Sequence, residues 1–195
     1  MTLRWLRGLI GPTLALTLTL PTLGRAEVVS GLKPAEPPPA AAQLTPGLAV
    51  DYAYAIVNHL NEFGGKKFEP GPPLPTLDYK VGNGTVLSSK SDNGVLAIIT
   101  GFIQLDKPGV WGFDVTSNDG VRVEIGGKQL YEDPTVHTDD TSDRIDVKID
   151  QPGWYPIRVH YFEKRYTSTL ILRWAGPGEK KLVPVPGKAL AHIKR

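Results

Sequence analysis

Along residues 110–130, VWGFDVTSNDGVRVEIGGKQL, large apolar side chains occupy every second position: Trp111, Phe113 and Val115, then Val121, Val123 and Ile125. A period of two marks strands that lay one face on a core. Ser117-Asn118-Asp119-Gly120 interrupts the alternation with side-chain oxygens and a glycine at a bend. The strands read as scaffold, so chemistry is expected to begin at that polar corner.

The same period recurs on both sides. Leu48, Val50, Tyr52 and Tyr54 alternate and predict a strand over 48–54, followed by an irregular or helical piece over 56–62. Residues 76–81 predict a short strand that Gly82-Asn83-Gly84 turns. Residues 95–105, VLAIITGFIQL, are nearly continuous apolar and β-branched, as a central strand buried on both faces would be. Ile145, Val147 and Ile149 alternate with charged residues. Tyr155, Ile157, Val159 and Tyr161 form another series, and Leu170, Leu172 and Trp174 a third.

An internal echo accompanies the pattern: LDKPGVWGFDV at 105–115 matches IDQPGWYPIRV at 149–159. In each copy Pro precedes Gly, which suits the central positions of a type II turn. The echo predicts two hairpins with the same turn chemistry, and Gly126-Gly127 predicts a third, two-residue one. Many short strands between regular turns make the fold class all-β, an antiparallel sandwich or barrel.

The first 26 residues break from this pattern. Arg4 and Arg7 precede an apolar run over 9–20, and Gly24 and Ala26 place small residues before Glu27. The run is short for a membrane span, so residues 1–26 read as a signal peptide and the chain as exported, periplasmic or secreted. Arg4, Arg7 and Arg25 leave with it and no acid does, so the net charge of +2 becomes −1. The mild basicity thus belongs to export, and no nucleic-acid partner is expected. Residues 27–46 carry five prolines and read as a semi-rigid linker, leaving 47–195 as the domain. With no cysteine there is no disulfide or thiolate chemistry. The domain must hold by burial, which a chain of this size achieves by removing roughly 70% of its unfolded surface from water.

Several motifs in order resemble the protective-antigen-type (PA-fourteen) β-barrel domain. They are Gly101-Phe102-Ile103, Pro108 through Val123, the strand Gly153-Trp154-Tyr155-Pro156-Ile157-Arg158-Val159-His160-Tyr161, and Leu170-Ile171-Leu172-Arg173-Trp174. That resemblance implies a carbohydrate-binding module, helped in the family's lectins by calcium held on two adjacent aspartates joined by a cis peptide. The matching pair here is Asn118-Asp119, and an asparagine carbonyl replaces one carboxylate. The family's lectins add an asparagine from the loop after the strand that matches Arg158-Val159-His160-Tyr161, where this chain has Glu163-Lys164-Arg165-Tyr166. Both departures weigh against calcium as the one possible cofactor.

The expected ligand site is therefore Asn118, Asp119, Lys164, Arg165 and Tyr166, with Tyr166 the candidate to stack on a sugar. Asn118 and Asp119 would be the metal ligands. Asp139 and Asp140, in the acidic stretch EDPTVHTDDTSD, would join them if that loop folds over the corner. The stretch lacks EF-hand spacing. His59, His137, His160 and His192 form no catalytic or zinc motif, and no nucleophile or phosphate-loop signature occurs, so no enzyme is expected. The expected partner is a glycan or envelope polysaccharide. An envelope protein docking on the barrel surface is the alternative, and a glycoside hydrolase ranks last.

Overall fold

The computed structural model describes Met1 and residues 27–194. Except for Met1, the expected signal peptide lies outside the described residues. The strands are β1 (Leu44–Pro46), β2 (Ala49–Tyr54), β3 (Glu69–Pro70), β4 (Asp78–Asn83), β5 (Val95–Leu105), β6 (Gly109–Asn118) and β7 (Val121–Ile125). They continue as β8 (Lys128–Asp133), β9 (Asp140–Thr141), β10 (Ile145–Ile149), β11 (Gly153–Glu163), β12 (Thr167–Ala175), β13 (Val183–Pro184) and β14 (Leu190–Ile193).

These strands form two antiparallel sheets. One runs β1-β14-β5-β11-β7-β8, with β2 also on β5 and β3 beyond β2. The other runs β10-β6-β12-β13, with β4 also on β12 and β9 on β6. Alternation decides which side chains meet between them. Phe113, Val115, Leu170 and Leu172 from the second sheet face a core shared with Ile99, Ile103, Val123, Tyr155, Val159 and Tyr161 of the first. Trp111 and Trp174 pack against each other with ring centroids 5.0 Å apart, and Trp111 Nε1 donates to the Lys107 carbonyl. Both indoles thus serve packing.

Three expectations change. β5 is buried on both faces only over Val95–Ala97; farther along, Thr100, Phe102 and Gln104 face outward and are more accessible. The two Pro-Gly turns do not close hairpins. Each carries the chain between layers, from β5 to β6 and, in the opposite direction, from β10 to β11. Gly109 has φ +131°, whereas Gly153 has no positive φ, so the copies share a sequence and not a turn conformation. Turn residues alone do not record which sheet the next strand joins. The third turn is a true hairpin: Gly126 and Gly127 take φ +58° and +77°, as a type I′ turn requires, and Ile125 pairs with Lys128.

Residues 27–46 do not stand away from the domain as a linker. Val29 N–H donates to Asp146 O at 2.9 Å and Val29 O accepts from Lys148 N–H at 2.8 Å. Lys33 N–H then reaches Gly126 O, Ala35 N–H reaches Trp154 O, and β1 pairs with β14. Prolines lack donors, but the residues between them keep theirs. This strap closes the end of the sandwich where β7 turns into β8.

At the opposite end, a short excursion lays Val57 and Leu60 on Leu96 and Phe162 in a second small core. A 3₁₀ turn at Leu60–Phe63, capped by His59 Nδ1 accepting from Asn61 N–H, sits in the stretch expected to be irregular or helical.

Candidate functional site

The polar corner joins β6 to β7 and so passes from one sheet to the other. Tyr161 Oη, buried in the core, donates to Asn118 O at 2.6 Å. Asp119 N–H donates to Phe162 O, and Phe162 N–H returns a bond to Gly120 O at 3.0 Å. Gly120 is required by contact: a Cβ there would lie 2.4 Å from the Phe162 ring. The Asn118–Asp119 peptide is cis.

Asp119 is buried, at 3% exposure, and both its oxygens are used. Oδ1 accepts from His137 N–H at 3.2 Å and Oδ2 from Lys164 N–H at 2.7 Å. Burial pushes its carboxyl above the ordinary aspartate range against the pull of those two bonds. One side chain thereby ties the corner to the acidic loop and to the segment after β11.

Asn118 Nδ2 donates to Asp139 Oδ1 at 3.1 Å and Thr167 Oγ1 at 2.9 Å. A carboxylate only accepts, so the amide must turn its NH₂ toward Asp139. Asp139 Oδ1 also accepts from Thr169 Oγ1, and Lys80 Nζ lies 3.1 Å from Oδ2. Burial alone would raise the Asp139 pKa; the bonds from Thr169 and Asn118 and the Lys80 ammonium outweigh it and hold the group low. The acidic loop thus folds over the corner, with β9 pairing on β6 at Thr116 and Ser117. Asp140 does not enter this network: it is exposed, and its Oδ1 accepts from Thr141 N–H.

These donors do not fit the calcium cage that the resemblance implies. Calcium takes six to eight oxygens. Here Asp119 is committed to two backbone donors, Asn118 presents its amide nitrogen to Asp139, and Asp139 already faces an ammonium. Among the described residues, no three His, Asp or Glu side chains converge as metal ligands.

Behind the corner, Glu163 is fully buried. Its Oε2 accepts from Gly94 N–H at 3.0 Å, and its Oε1 has no partner among the described residues. Burial, with the nearby Asp119 charge, pushes its pKa up to about 7. The next three residues diverge. Lys164 Nζ reaches Asn58 Oδ1 at 2.7 Å, which ties the second small core to the corner. Arg165 extends outward. Tyr166 takes φ +78°, anchors its N–H on Asn93 Oδ1 at 2.8 Å, and leaves its side chain 75% exposed.

Two hollows meet at the backbone pair Thr167–Asn83. One, about 290 Å³, is lined by Lys80, Asn118, Asp139, Thr167 and Thr169. The other, about 640 Å³, is lined by Asn83, Gly84, Asp92, Asn93, Arg165 and Tyr166. The expected residues therefore divide: Asn118 and Asp139 line the first hollow, and Arg165 and Tyr166 the second. Asp119 and Lys164 brace them through hydrogen bonds. Sequence reasoning missed Asn83, Asp92 and Asn93, whose only signal was turn composition.

A family profile for the PA14 domain matches residues 80–188, from β4 to the 3₁₀ turn before β14. The chain belongs to the PA14 family. No curated protein matches it. Solved PA14 structures share the fold. The PA14 domain of the MpAFP antifreeze protein aligns over 79% of this chain and 93% of its own, at 14% identity and TM-score 0.62. The Epithelial Adhesin 9 A domain from Candida glabrata, solved with Galβ1-4GlcNAc, covers 87% of this chain and 97% of its own, at 12% identity and TM-score 0.64. A PA14 sugar-binding domain from an RTX adhesin covers 76% and 99%, at 17% identity and TM-score 0.58. Among the described residues of this PA14 protein, no helix is long and apolar enough to cross a membrane.

Proposed function

We propose that this PA14 domain is a non-catalytic sugar-binding module of an exported protein, and that it recognises glycan hydroxyls at the corner end without calcium. One observation carries the reading. Tyr166 is held with its ring in solvent, above a hollow edged by Asn83, Asp92, Asn93 and Arg165. Sugars present an apolar ring face and a rim of hydroxyls, and an exposed aromatic beside amides and charges complements both. The sugar-bound state of the Epithelial Adhesin 9 domain and the sugar-binding description of the RTX adhesin domain support it at the level of the fold. The wiring of Asn118, Asp119 and Asp139 supports the absence of calcium.

A glycan array run in calcium and again in chelator tests this. The expected result is the same set of bound sugars in both, lost in Tyr166→Ala. No sugar bound in either condition overturns the reading. Calcium should also leave the melting temperature unchanged, since a ligand of the native state would raise it.

Protein docking is the second reading, favoured by one feature. A hollow of about 570 Å³ on the outer face of the larger sheet is floored by Phe102 and Pro156, which pair across β5 and β11, with Arg158 and Glu124 among its lining.

A further inference from the structure

Three of the described arginines are neutralised by carboxylates: Arg122 by Glu132 at 2.7 Å, Arg144 by Asp146 at 2.8 Å, and Arg173 by Asp114 at 2.6 Å. Arg158 lies directly across the β11–β7 ladder from Glu124. Arg165 is different. It makes no hydrogen bond or ion pair with any described residue, and its side chain lines the Tyr166 hollow.

The other groups of that hollow are arranged with two polarities. Asp92 lies within it but forms no ion pair with Arg165; its Oδ1 accepts from Thr85 Oγ1 at 3.1 Å. Asn93 spends its carbonyl oxygen on Tyr166 N–H, which leaves the amide NH₂ to donate. The hollow therefore offers an aromatic face, a planar cation with all its donors unused, and a carboxylate that accepts. A neutral sugar satisfies the aromatic face and the carboxylate but offers the guanidinium only hydroxyl acceptors and leaves its charge unpaired. A sugar bearing a carboxylate satisfies all three, because a guanidinium fork matches a carboxylate with two parallel N–H···O bonds.

We propose that the Tyr166 hollow selects a hexuronate unit, with the sugar ring on Tyr166, its carboxylate on Arg165 and a hydroxyl on Asp92. The inference rests on the sugar-binding reading and deepens it to a substrate class. Asp92 also sets the orientation, since it would repel the carboxylate from its own end of the hollow.

The test is titration calorimetry on the whole exported chain, in chelator. Short oligomers of galacturonate, glucuronate, mannuronate and guluronate are each compared with the same oligomer after carboxyl reduction. At least one acid form should bind about threefold or more tighter than its reduced partner, the gain expected of a bidentate ion pair at an exposed guanidinium. Added salt should weaken the acid form only. Arg165→Gln should bring acid and reduced forms to one affinity, and Tyr166→Ala should weaken both.

Equal binding of every acid and reduced pair, or an acid preference that survives Arg165→Gln, overturns the proposal. Binding of neutral sugars alone on the glycan array overturns it while the sugar-binding reading stands. An array with no binding at all removes both.

Discussion

At the end of the sandwich where β7 turns into β8, the chain is closed by backbone. Val29, Lys33 and Ala35 add main-chain hydrogen bonds to β10, to the Gly126 carbonyl and to the start of β11. At the other end, side chains make most of the connections. Asp119 clamps two loops, Asn118 and Thr169 converge on Asp139, Lys164 reaches Asn58, and Asn93 holds Tyr166. A backbone seal tolerates almost any sequence, because it uses groups every residue carries. A side-chain lattice depends on residue identity, and it leaves hollows between its members. The contrast sets a closed end against an open one within a single two-layer sandwich.

The largest expected effect breaks the closed end. A chain beginning at Ala41 loses the four strap bonds made by Val29, Lys148, Lys33 and Ala35. At about 1 kcal/mol net for each, it should lose about 4 kcal/mol in urea denaturation. Sugar binding at the far end, measured on the fraction that remains folded, should be unchanged. A strap that contributes nothing would leave the denaturation midpoint where it is.

Next comes the buried acid behind the corner. The folded pKa of Glu163 is raised to about 7 from an ordinary 4.5. The folded state therefore keeps a proton that the unfolded state releases. Stability falls as pH rises from 4.5 to 7, then levels at a loss of about 3 kcal/mol. The raised Asp119 carboxyl adds to the same trend. Glu163→Gln should melt well above the parent at pH 8 and close to it at pH 4. Parallel melting curves across that range would remove Glu163 as the source.

Asp119→Ala strands the His137 and Lys164 backbone donors and should cost about 2 kcal/mol, with sugar binding lost as both loops relax. The smallest structural effect, and the sharpest functional one, belongs to Tyr166. Its φ of +78° suits glycine, so Tyr166→Gly should change stability by less than about 1 kcal/mol. Its loss of sugar affinity should still exceed tenfold, read by the same calorimetry.

The strands were legible in the sequence because their cores alternate with little interruption. Val121, Val123 and Ile125, or Tyr155 to Tyr161, needed no tertiary information. The corner was legible as a polar break between two such strands, but that its side chains brace the neighbouring loops was not. The layer crossings were not: Pro-Gly at 108–109 and 152–153 announces a bend and carries no record of the sheet beyond it. The strap was misread because its contacts are single bridges from residues scattered among prolines, which produce no period. The hollow was half legible. Arg165 and Tyr166 were expected there, but Asn83, Asp92 and Asn93 are brought to them by β4 and β5, from 70 or more residues away in the chain. Asp139 was legible only as a condition, that its loop should fold over Asn118, and the loop does.

The pairing of β1 with β14 has a mechanical consequence. The strands are antiparallel, with Leu44 opposite Ile193 and Lys194 N–H bonded to Gln43 O, so the chain enters one and leaves the other at the same edge. Force drawing residues 43 and 194 apart would load this ladder one rung at a time, as a zipper opens, rather than shearing all its bonds together. The first element to yield under tension would lie away from the corner, and the loops around Asn118 and Tyr166 would keep their shape while the edge peels.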